Sequence, residues 1–148
     1  MDLIGALGGL PLFRRLSAEQ LGLVADLAEA HVVAAGGVLS RQADLGEHLF
    51  LLASGEAVIH RVDEAGLRRP VGMLSAGMAY GVTSLWLDAP RDATVTAATT
   101  CRVWMIGREP FQALLASRPA LARALDVPDE VAQVLDAPAF SWLEPGEA

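Results

Sequence analysis

Residues 77–95 read Gly-Met-Ala-Tyr-Gly-Val-Thr-Ser-Leu-Trp-Leu-Asp-Ala-Pro-Arg-Asp-Ala-Thr-Val, and this stretch decides the interpretation of the chain. Two glycines bracket a short apolar run, and the small residues at 82–86 predict one helical turn. A second turn, at 88–91, delivers Arg91 into an alternating strand. Backbone N–H groups at a helix start attract negative charge where a glycine lets a ligand approach, and a guanidinium grips two phosphate oxygens at once. The stretch therefore predicts an anion site.

The chain before this stretch begins with helical spacing and then changes to short strands. Residues 2–30 are predicted to be helical, and Ser17 with Gln20 has the signature of a capping box. From residue 31 onward, short apolar runs alternate with glycine-containing or acidic turns. The predicted strands lie at 31–34, 38–41, 48–53, 57–62, 67–74, 92–98 and 102–106. Short strands at this regular spacing favour an antiparallel β-sandwich or barrel.

A helical segment is predicted to follow the strands from Arg108 onward. Its apolar stripe is interrupted at Pro119 and again at Pro128. Because proline stops or kinks a helix, a long continuous helix is not expected after the strands. The expected division is one domain over residues 1–126 and a helical or linker tail over 127–148.

Five motifs in this order resemble the cyclic nucleotide-binding domain superfamily, of the catabolite-activator type. They are the segments 12–17, 35–39, 51–56, 80–95 and 108–111, and the third contains the Ser-Gly-Glu signature. The fourth resembles the phosphate-binding cassette of that superfamily, and the whole likeness covers about residues 12–125. The resemblance implies an α+β fold, an antiparallel β jelly-roll barrel flanked by N- and C-terminal helices.

The resemblance also implies which residues contact a ligand. They are Gly81, Val82, Thr83, Ser84, Leu85, Arg91, Asp92 and Ala93. In the family, the residue that matches Arg91 binds the cyclic phosphate. The alternative interpretation is that Arg91 is a surface residue paired with Asp88 or Asp92. Gly81 is either a point of close ligand approach or an ordinary turn glycine. Thr83 and Ser84 are candidate donors to phosphate, and they are also candidate caps of the helical turn.

Two positions depart from the family pattern. Val82 stands where the family has a glutamate that accepts the ribose 2′-hydroxyl, and an unpartnered buried hydroxyl costs about 1–3 kcal/mol. Asp92 stands where a small or hydroxyl residue is usual, and a carboxylate about 4 Å from phosphate costs about 4 kcal/mol at an effective dielectric constant near 20. Neighbouring strand residues point to opposite faces, so Asp92 alternatively faces away from Arg91. Weak cyclic nucleotide binding, binding of another anion and no binding all remain open.

The function implied by the resemblance is that of a regulatory sensor. A cyclic nucleotide, cyclic AMP or cyclic GMP, would occupy the cassette, and the flanking helices would signal to an attached or partner effector domain. The alternative is a degenerate module of the same fold that binds other proteins and no nucleotide. No helix-turn-helix pattern follows the barrel, so a complete transcription factor of the catabolite-activator type is not expected. The tail ends abruptly at residues 142–147, and we therefore expect a sensor fragment of a longer protein.

Composition excludes several other classes of function. The net charge is −7 and the pI about 4.8, so the chain is not expected to bind nucleic acid. No apolar run reaches the roughly 18 residues of a membrane span. The single cysteine, Cys101, excludes an internal disulfide and favours the cytoplasm. A bacterial protein is expected. The three histidines are expected at separate strand edges, so neither a metal site nor an enzyme is predicted.

Overall fold

The computed structural model of the chain describes residues 2–42, 48–86 and 93–127. Within these ranges the α-helices are α1 Leu3–Gly8, α2 Ala18–Ala25, α3 Arg108–Ser117 and α4 Pro119–Ala124. Two 3-10 turns lie at Pro11–Phe13 and Val82–Leu85. The strands are β1 Glu29–Val33, β2 Val38–Ser40, β3 His48–Ser54, β4 Ala57–Val62, β5 Arg68–Leu74, β6 Ala79–Tyr80, β7 Thr94–Ala97 and β8 Cys101–Gly107. None of the helices in these ranges is long and apolar enough to cross a membrane.

The described strands form two four-stranded sheets. The first sheet has the order β1-β8-β3-β6 and the second has the order β2-β7-β4-β5. All of the strand pairs within them are antiparallel. Strands that follow one another in the sequence often do not pair in the sheets, as is typical of a jelly roll. The predicted fold class, a jelly roll with flanking helices, is therefore confirmed.

The helix predicted over residues 2–30 is divided into three pieces. The first helix ends at Gly8, and Pro11 opens a 3-10 turn in which its missing N–H is tolerated. Ser17 then caps α2 as predicted, because its side chain accepts from the Gln20 N–H while the Gln20 side chain accepts from the Ser17 N–H. The last predicted helical residues already belong to β1.

Two hydrophobic clusters hold these layers together. The first cluster lies between the helices and the first sheet and contains Leu7, Phe13, Val24, Leu49, Leu51, Ile106, Phe111, Leu115 and Leu121 among others. The second cluster lies between the two sheets and contains Leu52, Ala57, Leu74, Val95, Ala97, Cys101 and Val103. Leu51 and Leu52 are successive residues of β3 that point to opposite faces. The first sheet is therefore buried on both sides along β3.

The turn between β3 and β4 requires glycine for two reasons. Gly55 has a φ of +90°, a conformation that residues with a side chain rarely adopt. A Cβ atom at this position would also lie 2.5 Å from the Thr100 carbonyl oxygen. The β4–β5 hairpin provides a comparison, because Gly66 has a φ of +80° but open space around it.

We expect Gly55→Ala to destabilise the domain more than Gly66→Ala. The Gly66 variant carries only the conformational penalty of the left-handed region, about 1–2 kcal/mol. The Gly55 variant carries the same penalty and must also move backbone at Thr100. Urea denaturation of both variants measures the difference, and equal losses of unfolding free energy would contradict the crowding at Gly55.

Candidate functional site: the cassette turn

The residues that follow β6 form a tight turn, here called the cassette turn (residues 81–86). Gly81 has a φ of +92°, so the chain reverses at a position that only glycine occupies without strain. The 3-10 helix Val82–Leu85 follows, and the Ser84 N–H donates to the Gly81 carbonyl oxygen at 3.0 Å. The helical turn predicted at 82–86 is thus present in a tighter form. The prediction that Gly81 admits a ligand is not tested by this geometry.

The first turns of α3 hold the cassette turn through its backbone. The Gln112 side-chain amide donates to the Leu85 carbonyl oxygen at 3.0 Å, and the Arg108 guanidinium donates to the Ser84 carbonyl oxygen at 3.5 Å. Arg108 and Gln112 are four residues apart, so they lie on the same face of α3. Ser84 and Leu85 are both buried, and buried carbonyl groups need such donors.

Aromatic packing joins the same elements. The Trp86 ring, which is buried, meets Phe111 of α3 edge-on with ring centroids 5.6 Å apart. Phe111 in turn packs against Phe13 of the N-terminal 3-10 turn at 6.2 Å. Among the described residues the indole N–H of Trp86 has no hydrogen-bond partner. Trp86 is therefore a packing residue, and it ties the cassette turn to both helical ends of the chain.

The structure describes part of the predicted site. Ser84, Leu85 and Ala93 are buried, and Leu85 belongs to the cluster between the helices and the first sheet. Gly81 and Val82 are partly exposed. Val82 lies against that same helical cluster.

The remaining predicted site residues are not fully described. Arg91 and Asp92 lie outside the described residues, and so does the side chain of Thr83. The assignment of all eight residues to a ligand site therefore stays a prediction.

Val82 lines a cavity of about 640 Å³ beside the cassette turn. The other walls of this cavity are residues Gly9, Leu10, Pro11, Leu12, Gly77, Met78, Ala79, Asp126 and Val127. The cavity thus lies between the N-terminal 3-10 turn, the start of β6 and the end of the described chain.

Sequence reasoning did not identify the two residues that hold the turn. Arg108 was recognised only as the start of the closing helix, and Gln112 was not singled out. The available signal was their spacing: two long polar side chains four residues apart, on a helix whose other positions are largely apolar. That spacing predicts a shared face but not the carbonyl groups that it meets.

Comparison with known proteins identifies the fold. The cyclic nucleotide-binding domain profile matches residues 30–118, which include the cassette turn and α3. The chain belongs to the cyclic nucleotide-binding domain family.

Three relatives show the breadth of this family. The chain is 33% identical to the cAMP-dependent protein kinase regulatory subunit of Yarrowia lipolytica, over 75% of this chain and 29% of that protein. It is 30% identical to the cyclic AMP receptor protein of Thermus thermophilus, over 79% of this chain and 54% of that protein. The N-terminal domain of a Streptomyces coelicolor transcriptional regulator superposes with a TM-score of 0.78 and 29% identity, covering 88% of this chain and 92% of that domain.

This cyclic nucleotide-binding domain spans only part of its longer relatives. It covers about 29% of the Yarrowia protein and about half of the Thermus protein. These two relatives are a protein kinase regulatory subunit and a cyclic AMP receptor protein. Within the described residues, no group of three or more His, Cys, Asp or Glu side chains is arranged to hold a metal ion.

His60 corrects one expectation for this domain. It was predicted at a strand edge, but it lies in β4, an inner strand of the second sheet, and only 5% of it is exposed. Its Nε2 atom is 3.0 Å from the Thr96 hydroxyl, and its Nδ1 atom is buried without a partner among the described residues. Burial, and then the positive charge of Arg68, lower the pKa of His60. The imidazole is therefore held neutral.

Cys101 is a small, fully buried residue. It lies in the cluster between the sheets, and burial raises the pKa of its thiol. Its Sγ atom lies 3.3 Å from the carbonyl oxygens of Glu56 and Thr99. A protonated, enclosed thiol is a poor nucleophile.

We expect the stability of the domain to fall as the pH drops below the ordinary histidine value of about 6.5. The unfolded chain binds a proton at His60 first, because the pKa in the folded state is lower, so the contribution of His60 is complete above that value and declines below it. Unfolding free energies measured between pH 8 and pH 5 test this. His60→Gln, which does not titrate, should flatten the decline, and Arg68→Gln should reduce it. An unchanged pH profile in His60→Gln would contradict the assignment.

Proposed function

We propose that this chain is a regulatory sensor domain that binds a cyclic nucleotide monophosphate at residues 80–95. Ligand occupancy would be passed to an attached or partner effector through the flanking helices. Cyclic AMP and cyclic GMP are the candidate ligands, and the proposed ligand contacts are the eight cassette residues named from the sequence. The domain would act by binding and not by catalysis.

This proposal rests on the contacts through which α3 holds the cassette turn. Gln112 and Arg108 hold the two carbonyl groups at the end of the turn, and Phe111 packs on Trp86 between them. Any ligand that changes the position of residues 82–86 must therefore move α3 or break these contacts. A turn that is bonded to a helix in this way is suited to transmit occupancy.

The relatives support the choice of ligand class. Two of them carry cyclic AMP in their names, and a structure from Toxoplasma gondii, 30% identical and with a TM-score of 0.70, is a protein kinase A regulatory domain crystallised with cAMP. The departures from the family pattern at Val82 and Asp92 determine the affinity that we expect for the cyclic nucleotide. Without the glutamate acceptor we expect an affinity about 10- to 100-fold weaker than that of a complete cassette.

The proposed organisation follows from the same comparison. Residues 1–126 would form the sensor, and residues 127–148 would be a tail or linker leading to the effector. The relatives join this kind of domain to a kinase-regulating subunit, to a receptor protein and to a potassium channel, so the identity of the effector is not fixed by the domain. A bacterial cytoplasm is the proposed location.

Calorimetric titration with cyclic AMP, cyclic GMP and a cyclic dinucleotide tests the ligand. We expect micromolar to 100 μM binding of a cyclic mononucleotide, which corresponds to about −8 to −5.5 kcal/mol. Arg91→Ala should abolish this binding and leave the melting temperature nearly unchanged, whereas Arg123→Ala, an exposed arginine of α4, should bind normally. If none of the three ligands produces heat at protein concentrations that detect 100 μM affinity, the chain is the nucleotide-free interaction module instead.

A second variant tests the departure at Val82. Val82→Glu restores the acceptor that the family provides, so we expect cyclic nucleotide binding to tighten by about 10- to 100-fold. Because Val82 packs against the helical cluster, the variant should also lose some stability, and Val82→Gln is the matched control for that loss. No gain in affinity would assign the weakness to Asp92 or to a blocked pocket.

A further inference from the structure

A single glutamine joins three strands of the second sheet at the end where β7 begins. Gln42 lies two residues beyond the end of β2. Its backbone N–H donates to the hydroxyl of Thr94, the first residue of β7, at 2.8 Å. Its side chain bonds to Val62, the last residue of β4. Since β7 lies between β2 and β4 in the sheet, Gln42 connects two strands that do not pair with each other.

The side chain of Gln42 acts on β4 as a backbone peptide group would. Its Nε2 group donates to the Val62 carbonyl oxygen at 3.2 Å, and its Oε1 atom accepts from the Val62 N–H at 2.8 Å. A side-chain amide offers the same acceptor and donor as the backbone. Among the described residues, the pairing of β4 with β7 ends at His60 and Thr94, two residues before Val62. Gln42 therefore bonds to β4 just in front of the start of β7.

The start of β7 is held on both of its faces. Ala93 is only 2% exposed and Val95 only 1%, and Val95 belongs to the cluster between the sheets. Because neighbouring strand residues point to opposite faces, the Thr94 side chain points away from that cluster, and there its hydroxyl accepts from Gln42. The first residues of β7 therefore cannot slide or rotate without losing burial on one side or a hydrogen bond on the other.

Ala93 connects this anchored strand to the proposed ligand site. It is the last of the eight proposed ligand contacts, and it directly precedes Thr94. The cassette turn, nearer the other end of the proposed ligand segment, is held separately by Arg108 and Gln112 of α3. Two different parts of the fold therefore anchor the segment, α3 at the cassette turn and Gln42 at the start of β7.

We propose that Gln42 is a positioning residue for the cyclic nucleotide site. It would act through β7 and not by contact with the ligand. Three residues separate Arg91 from Thr94, at most about 10 Å of extended chain, so any freedom gained at Thr94 passes directly to the arginine proposed to bind the phosphate. This inference rests on the proposed function, because the site that Gln42 would position is the one proposed above.

The substitution Gln42→Met tests the side-chain hydrogen bonds, because methionine keeps an unbranched side chain of similar length and cannot replace the amide. Gln20→Met is the matched control, since it removes the bond from the Ser17 N–H in the capping box of α2. Calorimetric titration with cyclic AMP and cyclic GMP compares both variants with the wild-type chain. We expect Gln42→Met to weaken binding about tenfold, the effect of losing one hydrogen bond to a charged group. Gln20→Met should bind normally.

The two cyclic phosphorothioates of the better ligand separate positioning from a general loss of stability. In these analogues, sulfur replaces one or the other of the two exocyclic phosphate oxygens, so donors in fixed positions distinguish them. We expect the ratio of their affinities to move toward one in Gln42→Met and to stay at the wild-type value in Gln20→Met. A loss of stability alone would weaken both analogues by the same factor.

Hydrogen exchange in the ligand-free chain tests the contact itself. The Val62 amide should exchange faster in Gln42→Met than in the wild-type chain, because its acceptor is the Gln42 side chain. The amides of β8 should keep their exchange rates. An unchanged rate at Val62 would show that the Gln42 side chain does not hold β4, and it would overturn the proposal.

The titrations distinguish failure of this inference from failure of the proposed function. If the wild-type chain binds neither nucleotide, the proposed function fails, and the positioning role fails with it. If the wild-type chain binds and Gln42→Met binds equally tightly, only the positioning role is overturned. Equal weakening of both phosphorothioates in Gln42→Met would likewise leave Gln42 with a structural role alone.

Discussion

Burial of the first sheet on both of its faces is the constraint on which the rest of this domain depends. Along β3, Leu49 and Leu51 face the helices while Leu52 faces the second sheet. An inner strand with apolar side chains on both faces is stable only if a layer covers each side. The helices at the two ends of the chain must therefore meet over the same sheet, and the cassette turn lies where they meet.

This arrangement explains why the cassette turn is held at its end nearest α3, through its carbonyl groups and through the buried side chains of Leu85 and Trp86. The turn is only four helical residues long, and Gly81 at its start has no side chain with which to anchor it. Gln112 and Arg108 bond to the carbonyl groups at its end, and Trp86 is enclosed between Phe111 and the helical cluster. The part of the turn nearest Gly81 is more exposed than the part that α3 holds.

Local signals in the sequence were sufficient for most of the fold. The Ser17 cap, the glycine turns and the short strands all arise from residues within a few positions of one another. Within the described residues, the structure places the Ser17 cap and the predicted strands near their predicted positions. The family motifs located the cassette, and the helical turn that follows Gly81 was predicted from small residues alone. Predictions at this range succeed because they need no knowledge of which strands pair.

Structural features that depend on residues far apart in the sequence could not be predicted from such local signals. The environment of His60 is set by its pairing with Thr94 of β7 and by its contact with Thr96, which is 36 positions away. A register shift between Ile59 and His60 also interrupts the regular pairing of β4 with β5. The donors to Ser84 and Leu85 come from 24 and 27 positions further along the chain. The sequence supplied the residue types for these contacts but not the partners.

The short helices have a further consequence for the first sheet. The longest described helix, α3, has ten residues. It ends before Arg118-Pro119, where α4 begins, and so it does not continue across the sheet. A helix of that length extends about 15 Å, and the side chains of α1, with six residues, cover still less. The burial of the outer face of the first sheet ends along β1, where 66% of Val32 is exposed. Separate short helices, and not one long helix, therefore cover the described part of the first sheet.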